Sequence, residues 1–329
     1  MTRQDETASF VTMAETRGES DSQTERGGWI PGAPGLPAFT LQANEPSAIP
    51  VLIAVPHGGR AYPRALVDDM RHSESVALRL EERYVDHLAH GIARETGANL
   101  LVANAPRAMV DLNRAPADVD WDMFLRSERP SGPLSLPSRR VRSGLGVIPR
   151  RLPGIGELWR RRLRKEDLEE RIDGVHQPYH AALANALLAL RERWGAALLI
   201  DLHSMPPLQG RIGAAGAQVV IGDRFGATCH GSVVATAFAQ LAAFRREAAH
   251  NRPYAGGYVL ERHADPQAGL HALQIEIDRS RYLDSDMVEP GAGMAAMIQD
   301  LSVLVRQLAA VVSDLGQDSS DREWPLAAE

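Results

Sequence analysis

The stretch PVLIAVPHGG, Pro50–Gly59, decides the fold. Five apolar residues in a row, Val51 to Val55, read as a strand buried on both faces. The run stops at His57, and two glycines follow. A strand that ends this way places an imidazole at the rim of a sheet. The glycines let the backbone turn sharply there, and nothing bulky covers the ring. Open α/β sheets keep their chemistry at that rim, so the rest of the chain must supply partners for His57.

Outward from this strand, residues 73–95 carry helical spacing, and TGANLLVANAP (96–106) closes that helix and opens a second strand. RAMVDLN (107–113) reads as a short strand running into polar residues. From Ala115 to Leu158 the chain is rich in Pro, Gly and Arg, with little periodicity, and reads as a long irregular excursion over the surface. A strong helix covers about 165–194. AALLIDLHS (196–204) and AQVVIGD (217–223) are further strands, and a helix covers about 230–247. GGYVLERH (256–263) and HALQIEIDRSRYL (271–283) read as strand-like, and a helix at about 291–315 closes the pattern. Strands alternating with helices give a layered α/β sheet.

With 329 residues, 44% hydrophobic and 24% charged, the chain can bury a large core. We read residues 1–30 as a polar tail, 31–315 as one domain with an irregular insertion at about 115–160, and 316–329 as a second tail. A net charge of −6 argues against a nucleic-acid binder. The lone Cys229, read as a small core residue, excludes a disulfide framework and a Cys-rich zinc site and fits a reducing compartment. No apolar run approaches about 18 residues, so no membrane span is expected, and the cytoplasm is the default location. The arginine-rich stretch 138–166 reads as a solvated face or as steering for an anionic substrate.

Polar residues gather where apolar strands do not need them: His57; Asp111, Asn113 and Arg114; Asp201, His203 and Ser204; and Glu276 inside LQIEID. A buried carboxylate costs several kcal/mol unless paired or metal-bound. Two histidines on separate strands suit a zinc ion, with a carboxylate as third ligand and one position left for water. Glu276 is the candidate base. Arg114 offers a planar fork for a substrate carboxylate. The set reads as amide hydrolysis on a small carboxylate-bearing molecule.

The ordered motifs VPHGG, RAMVDLNR, RIDGVHQPYHAAL, LLIDLHSMP, VVIGDRFGATC and GGYVLERHADPQAGLHALQIEIDRSRYLD resemble the N-formylglutamate amidohydrolase family, over about residues 49–315. That family is similar to the zinc carboxypeptidases and the succinylglutamate desuccinylase/aspartoacylase group. The resemblance implies a three-layer α/β fold with a mixed sheet flanked by helices, zinc-exopeptidase-like (phosphorylase/hydrolase-like). It implies one Zn2+ per chain held by His57, Glu82 and His203, Glu276 as base and proton shuttle, and Asn113, Arg114 and Arg107 on the substrate carboxylate. Arg60 stands where the carboxypeptidase pattern has its glutamate, so the acidic ligand comes from the next helix. The family register puts it at Glu82. The apolar stripe Leu78, Val85, Leu88 and Ile92 puts Glu81 nearer the buried face, and Asp86 lies one turn on.

Arg262 and His263 are further candidates for contact with substrate, and a second basic contact is to be sought among Arg107, Arg211, Arg262 and Arg279. His180 reads as packing. The partner expected is a small N-acyl amino acid, with N-formylglutamate first, and neither nucleic acid nor membrane. Monomer and homodimer both stay open. Two alternatives remain: peptide hydrolysis of the carboxypeptidase type, and a binding module that keeps the pocket without turnover.

Overall fold

The computed structural model describes residues 21–130, 138–210 and 216–322. In chain order these form β1 (Asp21–Gly27), β2 (Phe39–Glu45), β3 (Val51–Val55), α1 (Arg64–Asp69), α2 (Ser73–Leu80), α3 (Val85–Thr96) and β4 (Asn99–Ala103). Then come α4 (Arg139–Arg142), the small hairpin β5 (Arg151–Leu152) and β6 (Gly156–Glu157), α5 (Lys165–Arg171), a π-helical turn (Ile172–His176) and α6 (Gln177–Trp194). The chain continues through β7 (Ala197–Met205), β8 (Val219–Gly222), α7 (Gly231–Ala243), β9 (Ala248–His250), α8 (Tyr258–His263), β10 (Leu270–Asp278) and α9 (Met294–Arg322).

Eight strands make one mixed sheet in the order β1-β2-β4-β3-β7-β10-β8-β9. Its centre, β4-β3-β7-β10, is parallel; β2 and β8 flank it antiparallel. One face packs Leu52, Ala54, Leu199 and Ala272 against α6 residues such as Tyr179 and Leu183. The other packs Ile53, Leu198, Ile200, Leu273 and Ile275 against α3, α7 and α9. The result is the three-layer α/β arrangement with a mixed sheet and flanking helices.

Along β7 and β10 the α6-side face changes character. Ala197 and Leu199 give way to Asp201 and His203, and Ala272 gives way to Gln274 and Glu276, at the two-residue period of a strand. The opposite face stays apolar through Leu202 on β7 and from Leu273 to Ile277 on β10, with Ser204 the polar residue at its end. The polar half lies at the carboxyl ends of the parallel strands, where the sheet opens. The glycines after His57 have a steric cause: a Cβ on Gly59 would collide with the Ala105 carbonyl at the end of β4. The chain leaves His57 pressed against its neighbour strand, and only glycine permits that approach.

Several segments differ from the sequence reading. The expected helix over 73–95 is two helices broken at 81–84, with Tyr84 left-handed at φ 56°. RAMVDLN is not a strand but a chain of turns, with the Asp111 amide donating to the Val147 carbonyl. YVLERH is the helix α8, begun after extended Gly257. The segment after Ala115 is not confined to the surface: Val147, Ile148, Leu158 and Leu163 are buried in the main core. Residues 21–27, read as tail, form the edge strand β1 on β2, and Ile30 is fully buried. Cys229 is a buried core residue. In α9, Met294–Asp318 is long and apolar enough to cross a membrane, a feature the sequence reading did not flag. Its residues Met297, Leu301, Leu304, Leu308 and Val312 belong to the core beneath the sheet.

Candidate active site

His57 follows β3, His203 lies near the end of β7, and Glu82 sits in the break between α2 and α3. One ligand atom from each lies within 4.8 Å of the others, and all three residues are buried. His57 Nδ1 is 2.8 Å from Glu82 Oε1, and His203 Nδ1 is 3.1 Å from both Glu82 oxygens. Each imidazole presents Nδ1 to the centre because a carboxylate holds its other nitrogen. His57 Nε2–H donates to Asp111 Oδ1 at 2.8 Å, and His203 Nε2–H donates to Asp201 Oδ2 at 2.9 Å. Such carboxylate–imidazole pairs fix the tautomer and orientation a metal ligand needs.

The helix break explains why Glu82, and neither alternative, reaches the centre. Periodicity does not carry through residues 81–84, so the stripe that favoured Glu81 is interrupted. Glu81 is instead buried against Arg83 at 3.0 Å. Asp86 is taken by Arg60 in a two-pronged pair at 2.9 and 2.7 Å. The Glu82 amide donates to the His57 carbonyl and the Ser204 amide donates to Glu82 Oε2, which ties the break to both histidine strands.

Glu276 is the register partner of His203 across β7 and β10. Its Oε1 accepts from Gln274 Nε2 at 2.9 Å, and among the described residues it makes no ion pair within 4.0 Å. Burial pushes its carboxyl up to about 7, while His203 pulls the other way. Burial opposes the charge on Glu82, yet His203 and His57 hold it well below the usual carboxylate range. Burial likewise opposes charge on His203, yet Asp201 and Glu82 hold its imidazole well above the usual value. The Asp111 carboxylate, though buried, is held low by Arg107 and His57. Two imidazole nitrogens and a carboxylate thus converge in an acidic surround that asks for positive charge, a donor set that fits a divalent cation such as zinc.

A cavity of about 910 Å³ opens over this centre, lined by His57, Glu82, His203 and Glu276 on its floor and by arginines on its walls. Asn113 lines it and is gripped from two sides. Its Oδ1 accepts from the Val259 amide at 3.0 Å, and its Nδ2 donates to Asp201 Oδ2 at 3.4 Å. Gly257 is required beside it, since a Cβ there would strike the Asn113 amide.

Of the arginines, Arg114 donates to the Leu145 and Asn113 carbonyls at 3.2 and 2.6 Å. Arg279 donates to Ser204 Oγ at 3.1 Å. Among the described residues neither has a carboxylate within 4.0 Å. Burial lowers the basicity of Arg114, so it stands desolvated and without an anion in contact. Arg107 also lines the cavity, but it is committed: it contacts Asp111 Oδ2 at 3.0 Å and Glu82 Oε1 at 3.4 Å.

Arg262 is not brought into the site. It lies exposed on α8 over the Tyr258 ring and donates to the Tyr258 hydroxyl at 3.0 Å. His263 is buried away from the cavity, and Arg211 falls outside the described residues. The sequence reading missed the roles of Asp111, Asp201 and Gln274. The signal was present as an i, i+2 spacing, Asp201 to His203 and Gln274 to Glu276, which puts each pair on one strand face.

The sequence matches the family model of N-formylglutamate amidohydrolase over residues 49–283. It is 26% identical over 287 residues to an N-formylglutamate deformylase of Pseudomonas putida, covering 83% of this chain and 96% of that protein. It is 29% identical over 269 residues to the N-formylglutamate deformylase of Pseudomonas aeruginosa, covering 79% of this chain and 91% of that protein. The structure is similar to the crystal structure of N-formylglutamate amidohydrolase from Ralstonia eutropha JMP134, with a TM-score of 0.75 and 30% identity over 84% of this chain and 98% of that one. An Agrobacterium tumefaciens gene product shares the fold, with a TM-score of 0.59 at 15% identity. With a family match across most of its length and a site built of family motifs, this chain belongs to the N-formylglutamate amidohydrolase family, hydrolases of linear amide bonds.

Proposed function

We propose that this chain hydrolyses N-formyl-L-glutamate to formate and L-glutamate, with one zinc ion held by His57, Glu82 and His203. The observation that carries the reading is the convergence of those three residues beside Glu276, facing arginines, Arg114 and Arg279 among them, that have no acid in contact. When bound, the ion supplies Lewis acidity, polarising a carbonyl oxygen and bringing the pKa of water down to about 7. Asp111 and Asp201 each accept from an Nε2–H, which leaves Nδ1 as the atom each imidazole would offer the ion. Glu276 takes the proton of the attacking water as the O–C bond forms. It returns that proton to the glutamate nitrogen as the C–N bond breaks, leaving formate and a free amine. Arg114 and Arg279 hold the two carboxylates of the glutamate, with Asn113 beside Arg114 orienting the α-carbon end. The single buried Cys229 suits the cytoplasm as the place of reaction.

The test is formate release from a panel of N-formylglutamate, N-formylglutamine, N-formylaspartate and N-acetylglutamate. N-formylglutamate is expected to be turned over with the highest kcat/KM. Formate release that is equal for N-formylglutamate and N-formylglutamine would remove the two-carboxylate reading. A second prediction isolates Arg279. Because a hydrogen bond to a charged group contributes about 1.5–3 kcal/mol, Arg279→Ala should lower kcat/KM roughly 10- to 100-fold, mainly through KM. An unchanged KM would place the second carboxylate elsewhere.

A further inference from the structure

Beneath the Asn113–Arg114 loop lie three buried histidines that the reaction does not use. We propose that His176, His180 and His263 are positioning residues that hold the substrate-binding loop as neutral imidazoles, each protonated on Nε2. His176 Nε2 is 2.9 Å from the Arg114 carbonyl, and His180 Nε2 is 2.9 Å from the Leu112 carbonyl. A carbonyl only accepts, so both Nε2 atoms carry hydrogen. That leaves His180 Nδ1 bare. It is 2.9 Å from His263 Nε2, which must then donate. The two rings lie within 13° of coplanar orientation. One chain of hydrogen bonds therefore runs from α8 through α6 to the loop.

The effect is to fix Asn113 from both flanks. Its neighbours on either side are bonded through their carbonyls, and its own side chain is bonded to the Val259 amide of α8. The sequence provides this through the π turn Ile172–His176, which is followed directly by α6. It brings His176 and His180, four residues apart, to the same face under the loop. The rings are 2%, 1% and 8% exposed. Tyr258 of α8 covers two of them, at 5.8 and 5.2 Å between ring centres. The charged and titratable groups around the cluster are Arg262 and Tyr258 on α8, Asp111 and Arg114 in the loop, and Tyr179 on α6. Among the described residues no carboxylate bonds any of the three rings. Burial holds His180 and His263 far below the ordinary histidine value, at about 2 and about 3.

This inference rests on Asn113 and Arg114 as the grip on substrate, so the experiment has one arm independent of turnover. In 15N-histidine NMR of the whole protein, all three rings should show the Nε2–H tautomer at neutral pH, with no titration of His180 or His263 between pH 5 and 8. A ring protonated on Nδ1, or His180 or His263 titrating near 6.5, would overturn the proposal whatever the substrate proves to be. In kinetics, His180→Phe fills the space but strands the Leu112 carbonyl. It should raise KM for N-formylglutamate 10- to 100-fold with metal content unchanged. His180→Gln places an amide donor near the Nε2 position and should restore KM to within about threefold. A folded His180→Phe with wild-type KM would overturn the positioning role, while absence of formate release from the parent protein would instead overturn the reading of function. If His180→Phe does not fold, the tautomer measurement on the parent protein decides.

Discussion

Glu276→Gln should lower kcat for formate release by about 10²- to 10⁴-fold, the span typical of a lost general acid–base, with bound metal and KM close to those of the parent. The substitution is nearly isosteric. Gln274 can still donate to the amide oxygen, so the cross-strand arrangement of β7 and β10 survives. What is lost is the carboxylate, register partner of His203, that can accept a proton from water and give it to nitrogen. A carboxyl raised by burial to about 7 is suited to both halves of that exchange near neutral pH. Steady-state kinetics beside metal analysis on the same preparation checks it. A Glu276→Gln enzyme within tenfold of the parent in kcat, with metal bound, would remove Glu276 from the reaction.

Stripping the protein with a chelator should abolish formate release, and added zinc should restore it. The physical ground is charge. Glu82, Asp111, Asp201 and Glu276 are all buried at the site, and Arg107 is the cation that contacts two of them. A bound divalent ion offsets that surplus and also stabilises the folded chain by mass action, by about 4 kcal/mol when free ion is some 1,000-fold above its dissociation constant. The stripped protein should therefore melt several degrees lower as well as being inactive. Full turnover by protein shown to be metal-free would sink the assignment of His57, Glu82 and His203 as ligands.

How much of this was legible in the sequence depends on the kind of element. His57, His203 and Glu276 could be read directly, because burying a charged or ligating residue at the end of an apolar strand is costly unless a partner or a metal repays it. The layered α/β sheet followed from the same runs, and its mixed character from the family resemblance. Glu82 could not be settled by periodicity, since the helix on which the period was counted does not exist between residues 81 and 84. Only the family register pointed to it. The 107–113 segment looked like a strand because its apolar content is that of one, but its bonds go to Val147 and to its own turns. YVLERH misled in the opposite direction: six residues are too short to display a helical period, and Tyr and Val favour strands. The arginines were the least legible. Arg107, Arg114, Arg262 and Arg279 are alike in sequence. What separates them is whether the side chain faces the cavity and whether an acid already occupies the guanidinium, and both are properties of packing.

The break at Glu82 has a consequence for how the protein comes into being. The carboxylate lies 25 residues from one histidine and 121 from the other. The base comes still later, on β10, which pairs alongside β7. No local segment can assemble this centre, because loop closures of that length are made only as the sheet is completed. During synthesis the chain therefore cannot capture its metal early and be nucleated by it. On the proposed metal reading, loading with the ion marks the moment at which β3, the broken helix and β7 have met, and it distinguishes a finished molecule from a compact but incomplete one.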